Sequence, residues 1–218
     1  MSEHIVLRRR LRLRWEMVTV PFIGDPKPVL RQVDEKNWET VETLTYQGTI
    51  DRFVVPKGMR TDFASVPRAF VWFLPRYGRY TRAAILHDYL WRHRAGDSEQ
   101  PVSRRDADGL FRRVMRELEV PFLRRWIMWG AVRWAALMKS DGRAGWLRDA
   151  PRVALVTIVA LPFVLPPALL VLVALGAFFL LELMLVVSLK VGRAFKAAVT
   201  KKEPRKEIVV PRFDWNTA

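Results

Sequence analysis

The chain has 218 residues and a formal net charge of +15, with 37 Lys and Arg residues against 22 Asp and Glu residues. This length suits one domain with an appendage and is too short for two full domains beside an apolar C-terminal segment. The chain has no cysteine, which excludes disulfide bonds, thiolate nucleophiles and Cys-ligated zinc. The basic excess is spread along the sequence, so it indicates anionic partners in general rather than a dedicated nucleic-acid tail.

Residues 5–60 predict a small antiparallel sheet of three to five strands. Leu11, Leu13 and Trp15 alternate with arginines, a pattern typical of a strand with one basic, solvated face. The run from 38 to 50 is rich in Thr, Val and Tyr, as strands are. The segment 56–58, Pro-Lys-Gly, has the composition of a turn. No secretory signal is visible in the N-terminal residues.

Residues 65–139 predict about four helices, and the fold class is therefore α+β. The helix starts are marked by Ser65 with Pro67, by Thr81, by Ser103 and by Pro121. The predicted helices run from Arg68 to Leu74, from Arg82 to about His93, from residue 104 along a clear apolar stripe, and from Phe122 to Met138. The last of these mixes Trp with Arg, which suits either packing or a membrane surface.

Residues 153–189 contain no charged residue except Glu182. As a helix at ~1.5 Å per residue this run would be ~55 Å long, whereas a bilayer core is ~30 Å thick. Pro162, Pro166 and Pro167 lie where a hairpin would bend, so the sequence favours a bent or re-entrant membrane hairpin. The alternative is a single span over 167–189 preceded by an interfacial helix. A buried hairpin in a soluble protein is disfavoured, because about 150 remaining residues could hardly cover so much apolar surface.

Basic residues flank this run on both sides, and they determine the predicted topology. Arg148 and Arg152 precede it, and seven more follow: Lys190, Arg193, Lys196, Lys201, Lys202, Arg205 and Lys206. The positive-inside tendency then predicts a cytoplasmic-membrane protein with both flanks on the cytoplasmic side, the tail lying against anionic headgroups. The predicted organisation is an α+β domain over 1–148, a membrane-inserted hairpin or span over 149–198, and a basic tail over 199–218.

A group of polar residues lies among otherwise apolar neighbours between 62 and 108. Asp62, His87, Asp88 and Asp108 would converge if the second and third predicted helices pair. Imidazole and carboxylates can bind a divalent metal and activate water, or they can carry out acid–base catalysis. The alternative is structural: His87 and Asp88 pair with arginines such as Arg68 and Arg82 and tie helices to sheet.

The His-Asp pair at 87–88 invites comparison with HD-type phosphohydrolases, whose metal sites are built from His, His-Asp and Asp. The upstream histidine here is His4, in a predicted strand, so the first ligand of that pattern is missing. Ser65 is explained by a helix cap without a role as a nucleophile.

Three stretches resemble a domain family of unknown function that is widespread in tailed phages, prophages and bacterial genomes. They are V-P-K-G-M-R-T-D-F-A-S-V-P-R at 55–68, R-Y-G-R-Y-T-R-A-A-I-L-H-D-Y-L at 76–90 and S-R-R-D-A-D-G-L-F at 103–111. The resemblance covers about residues 45–140 and implies signature positions at Asp62, Ser65, Pro67, His87, Asp88 and Asp108. It implies no established activity, and the apolar segment lies outside the family core.

Three functions remain open on this sequence. The first is a phage- or prophage-type protein that binds a partner at the cytoplasmic membrane, as a lysis, entry-exclusion or assembly accessory. The second is a membrane-tethered metal-dependent hydrolase that uses His87 with Asp62, Asp88 and Asp108. The third is a nucleic-acid-binding module. The predicted partners are accordingly a bilayer with anionic headgroups, a protein, or a nucleic acid.

Overall fold

The computed structural model describes residues 21–23, 27–63, 66–92, 102–200 and 209–210, without the side chain of residue 141. Within these ranges short strands come first and helices follow, which confirms the predicted α+β class. The strands are β1 Phe22–Ile23, β2 Leu30–Gln32, β3 Trp38–Thr40, β4 Leu44–Gln47, β5 Arg52–Val55 and β6 Arg60–Thr61. The helices are α1 Thr81–Arg92, α2 Arg104–Glu117, α3 Phe122–Ala136 and α4 Trp146–Thr200, with 3₁₀ helices at Arg68–Phe70 and Ser140–Gly142.

The strands form two small antiparallel sheets, in the orders β1-β4-β5 and β2-β3-β6. In β4 and β5, Leu44, Tyr46 and Val55 are buried, whereas Thr45 and Val54 are more exposed. This alternation gives the first sheet one core face and one outer face. The strand predicted over 7–15 lies outside the described residues.

The predicted turn at 56–58 is present and links the two sheets. Gly58 has φ +83°, a left-handed conformation that glycine adopts without strain, and its N–H donates to the carbonyl of Thr40 at 2.8 Å. The buried Thr40 hydroxyl donates to the carbonyl of Pro56 at 2.8 Å and accepts from the N–H of Met59 at 3.0 Å. The single hydroxyl of this buried threonine is thus satisfied both as a donor and as an acceptor.

Helices α1, α2 and α3 supply most of the buried apolar side chains of the globular part. The predicted cap of α2 is confirmed, because the Ser103 hydroxyl accepts from the N–H of Asp106 at 3.1 Å. The apolar stripe predicted for this helix is buried as expected: Ala107, Leu110, Phe111, Val114 and Met115. Pro121 precedes the first turn of α3, also as predicted.

The described residues belong to two compact units. The first comprises the described residues of Met1–Ala64 and Arg76–Thr157, and it holds both sheets, α1 to α3 and the first turns of α4. The second comprises those of Ser65–Pro75 and Ile158–Ala218. In the second unit the helix predicted from Arg68 is a 3₁₀ helix preceded by Pro67, and Ser65, its predicted cap, lies outside the described residues.

Helix α4 is continuous over 55 residues, which corresponds to a length of ~80 Å. The bent hairpin favoured by the sequence is not formed, because the backbone stays helical through Pro162, Pro166 and Pro167. Its apolar side chains are exposed along most of its length, on every face. In the described part of the chain it is the one helix long and apolar enough to cross a membrane.

Candidate functional site

His87 and Asp108 form the centre of a polar network between α1 and α2. His87 lies on α1 next to the buried Leu86, and Asp108 lies on the buried stripe of α2 beside Ala107. The His87 Nε2 atom is 2.7 Å from Oδ1 of Asp108, whose side chain is fully buried. With an ionised carboxylate as acceptor, Nε2 carries the proton of this hydrogen bond. The predicted pairing of the two helices through these residues is therefore present.

The Asp108 carboxylate accepts hydrogen bonds from three side chains. Besides His87, Trp91 donates Nε1–H to Oδ1 at 2.8 Å, and Arg133 donates from Nη1 to Oδ2 at 2.8 Å. The rings of Trp91 and Phe111 flank the imidazole, with centroids 5.8 Å and 4.9 Å away. A buried carboxylate is costly unless it is paired, and here three donors from two helices compensate its lost hydration.

Arg133 extends the network from α3 to the start of α4. Its side chain is fully buried, and its Nε lies 3.5 Å from Oδ2 of Asp149. Arg105 binds the same carboxylate in a bidentate manner, from Nε at 2.8 Å and from Nη2 at 3.0 Å. Trp146 donates Nε1–H to the carbonyl of Arg133 at 2.8 Å. The charges alternate along Asp108, Arg133, Asp149 and Arg105, so the network joins α2 and α3 to the first turn of α4.

Asp62 and Asp88 do not share this centre. The Asp88 Oδ2 atom accepts from the hydroxyl of buried Thr61 at 2.5 Å, and Asp62 pairs with Arg92 at 3.6 Å. Burial raises the pKa of Asp88 to about 7, although the Thr61 hydrogen bond opposes the shift. Consecutive residues on a helix point ~100° apart, so His87 faces α2 whereas Asp88 faces the end of strand β6.

Of the four residues that were expected to converge, His87 and Asp108 meet, whereas Asp62 and Asp88 contact Arg92 and Thr61. In the portion of the chain that is described, no group of three or more His, Asp or Glu side chains could hold a metal ion. The geometry instead allows His87 to be oriented by a buried carboxylate. Such a dyad can position an imidazole for proton transfer, and it can equally fasten two helices together.

The arginine partners also differ from those expected. Arg82 lies over the Phe22 ring, 5.0 Å from its centroid, and burial lowers the pKa of its guanidinium. Arg68 lies in the second unit, on the 3₁₀ helix. The partner that the sequence analysis missed is Arg133. The detectable signal was its position among the buried Trp129, Gly130 and Ala136 on α3, where a charge requires a counter-ion.

Residues 38–132 match the model of a family described as a protein of unknown function, DUF1353. No curated protein and no solved structure matches the chain. The matched region contains His87, Asp88 and Asp108, whereas Arg133 and Asp149 lie beyond its end. The family match therefore covers the His87–Asp108 pair but not its connection to α4.

Proposed function

We propose that this chain is a membrane-tethered accessory protein that acts by binding at the cytoplasmic membrane. The observation that carries the proposal is α4, a helix of 55 residues with apolar side chains exposed on all faces. In water this surface would cost ~25 cal/mol for each Å² left unburied. An interfacial helix needs a polar face, and between residues 153 and 181 α4 has no charged residue. A helix that crosses the bilayer accounts both for the exposed apolar side chains and for the absence of a charged face.

The network supports a tethering role, because it fixes the start of this helix to the globular part. Asp149 lies in the first turn of α4 and is bound by Arg105 and Arg133. The first turns therefore fold as part of the globular unit rather than as a flexible linker. A buried ion-pair chain of this kind suits a structural role and needs no substrate.

Membrane association is tested by fractionating cells that express the full chain. We expect the protein in the membrane pellet after washes with alkaline carbonate and with high salt, because a spanning helix resists both. A chain truncated after residue 157 keeps the first turns of α4 with the globular unit, provides the comparison and is expected to leave the pellet. Recovery of the full chain in the soluble fraction would refute the proposal.

Basic residues lie on both sides of the apolar run, with Lys139, Arg143, Arg148 and Arg152 before it and a longer series from Lys190 to Lys206 after it. We propose that the globular part lies on the cytoplasmic side. One uninterrupted crossing then carries the basic tail to the opposite face, whereas the positive-inside tendency would keep both flanks cytoplasmic. The absence of native cysteine allows a clean test with single-site labels. Ser140→Cys should resist a membrane-impermeant maleimide in intact cells and react after lysis, and Thr200→Cys reports the side of the tail.

The sequence resemblance supports a phage- or prophage-type role for the globular part. The stretches at 55–68, 76–90 and 103–111 carry that resemblance, and all three lie within the matched range 38–132. Under this proposal the gene should lie among phage genes, and the membrane-bound chain should retain a partner encoded by the same cluster. Isolation of the detergent-solubilised chain after cross-linking, with expression of that cluster, tests both points.

A second candidate is an acid–base hydrolase that uses His87. The favouring observation is the 2.7 Å contact from Nε2 to Asp108, with a carboxyl of raised pKa at the adjacent Asp88. The test uses the purified full chain with activated phosphodiester and ester substrates. Hydrolysis that is lost in His87→Gln while the fold is retained would favour the enzyme, and a folded chain without turnover would favour binding.

A further inference from the structure

Four arginines and two aromatic rings line a groove between α2 and α3. The groove has a volume of about 380 Å³ and is lined by Arg112, Arg113, Arg116, Arg125, Phe122 and Trp126. No acidic side chain is part of this described lining. Of the four cations, Arg113 is paired with Asp51 across the fold, so the groove retains an excess of positive charge.

The guanidinium of Arg112 is held in the groove by aromatic rings rather than by a carboxylate. Its Cζ atom lies 4.0 Å from the centroid of Trp126 and 5.1 Å from that of Trp129. Arg125 lies in the same way over Phe122, at 5.1 Å. Arg125 also donates from Nη1 to the carbonyl of Val120 at 3.5 Å. A ring beneath a guanidinium orients it while the N–H donors at its edge can still bind an acceptor.

The positive charges are also crowded together. Arg112 and Arg116 are four residues apart on α2, which is a mildly destabilising like-charge spacing. Burial and the neighbouring guanidinium groups of Arg152, Arg116 and Arg125 lower the pKa of Arg112, although Asp149 opposes the shift. An anion bound in the groove would relieve this repulsion.

The groove lies close to the start of the segment of α4 that contains no charged residue. Trp129, which contacts Arg112, precedes Gly130, and a Cβ atom on Gly130 would lie 3.3 Å from the Val156 side chain. Trp134 donates Nε1–H to Thr157 at 2.9 Å. Val156 and Thr157 belong to the apolar run that starts at residue 153. Helix α3 thus packs along the first turns of the membrane helix.

We infer that this groove binds the phosphate headgroup of an anionic phospholipid of the membrane that α4 enters. Arginine forks fit phosphate oxygens, and Trp residues are enriched at the level of lipid headgroups. Phe122 and Leu123 at the rim are 65% and 52% exposed, which suits contact with the upper acyl chains. The inference rests on the proposed membrane tethering and specifies the site through which the globular part contacts lipid.

Native mass spectrometry of the detergent-solubilised full chain tests the inference. Dioleoyl phosphatidylglycerol is titrated against dioleoyl phosphatidylethanolamine, which has the same acyl chains and no net charge. We expect the anionic lipid to bind preferentially, and Arg116→Gln with Arg125→Gln to weaken its binding about thirtyfold, at ~1 kcal/mol for each basic residue beside anionic lipid. The matched control, Arg52→Gln with Lys57→Gln, removes the same charge from exposed positions on β5 and the turn after it and should leave binding unchanged.

Three results would overturn the inference. The first is that the chain retains the two lipids equally. The second is that the control pair loses as much lipid binding as the Arg116 and Arg125 pair. The third is that millimolar inorganic phosphate, or a short oligonucleotide that binds more tightly, displaces phosphatidylglycerol. Arg112→Lys keeps the charge but loses the planar fork, and it should weaken lipid binding while the chain stays folded. A chain that fractionates with membranes but shows no headgroup preference would remove this inference alone, whereas a soluble chain would remove the tethering proposal.

Discussion

Asp108 is the residue whose loss the fold should tolerate least. It is fully buried, and it is the hydrogen-bonded counter-ion of the fully buried Arg133. Asp108→Asn removes the nearer of the two carboxylates beside that guanidinium, at 2.8 Å against 3.5 Å for Asp149, and breaking a buried ion pair typically costs about 3–5 kcal/mol. Denaturant unfolding of the solubilised chain should show this loss in the free energy of unfolding.

The control for this prediction is an ion pair of the same type at the surface. Arg31 and Glu39 are 3.0 Å apart, but the arginine side chain is 69% exposed. Arg31→Gln should therefore change the free energy of unfolding by less than ~1 kcal/mol. Similar losses in the two variants would mean that burial does not decide the strength of the Asp108 interaction.

Asp88 should make the stability of the protein depend on pH in an unusual direction. Its pKa is raised from 3.8 to about 7 by burial, so between these values the folded state binds more protons than the unfolded state. Stability is therefore lost as the pH rises through this window, instead of being gained as for an ordinary ion-paired carboxylate. Asp88→Asn removes the titration and can keep the contact with Thr61.

The measurement is the difference in unfolding midpoint between Asp88→Asn and the parent chain, at pH 4.5 and at pH 8. We expect the stability of the variant relative to the parent to increase as the pH rises, because only the parent must bury a charge at pH 8. A difference that is the same at both values would show that Asp88 titrates near its ordinary pKa.

At the scale of helices and strands, two helical glycines have different surroundings, so substituting each one tests a different effect. Gly130 tests close packing between helices, and Gly109 tests intrinsic helix propensity. Gly130 of α3 faces Val156 of α4, where a Cβ atom would lie at 3.3 Å, whereas a Cβ atom on Gly109 of α2 would meet nothing within 4 Å. Gly130→Leu should push α3 from α4 and cost about 1–3 kcal/mol. Gly109→Ala should stabilise α2 by about 0.5–1 kcal/mol. Thermal unfolding of the two variants and the parent measures whether each substitution raises or lowers the stability. Stabilisation by Gly130→Leu would contradict the packing of α3 on α4.

Local signals in the sequence identified the helices of the globular part well. Ser103 caps α2, Pro121 precedes α3, and the stripe on α2 is buried, because caps and apolar periodicity depend only on near neighbours. The strands were harder to predict, since within the described residues six short strands form two sheets, whereas a single sheet was expected. Pairing between β3 and β6 joins residues that are about twenty positions apart, and alternation cannot reveal it.

The candidate site could be predicted only in part for the same reason. His87 and Asp108 stood out as polar residues on apolar faces, and they do meet. Arg133 and Asp149 were missed, because their partners lie 25 and 44 residues away and the mixture of Trp and Arg on α3 suited packing and a membrane surface equally. The prolines of α4 were overinterpreted. Proline is tolerated in an apolar helix where local adjustment of the backbone satisfies the carbonyls that it leaves unpaired, and α4 stays helical through Pro162, Pro166 and Pro167.

For the molecule as a whole, the decisive question is whether the apolar surface of α4 is matched by lipid. Leu170 and Val173 are 71% and 70% exposed near the middle of the charge-free run. Changing both to Arg adds about 5–7 kcal/mol to the cost of insertion, on a scale of ~2.5–3.5 kcal/mol for each central Arg. We expect this variant to leave the carbonate-resistant membrane fraction.

The matched control places the same two charges where the basic flank already lies. Val191 and Val199 are 63% and 69% exposed and stand among Lys190, Arg193 and Lys196. Val191→Arg with Val199→Arg should leave insertion intact, since arginine at a helix end reaches the headgroup region. If the central pair stayed in the membrane fraction like the flanking pair, α4 would not be crossing the hydrocarbon core. The exposed apolar run would then have to be covered by a protein surface.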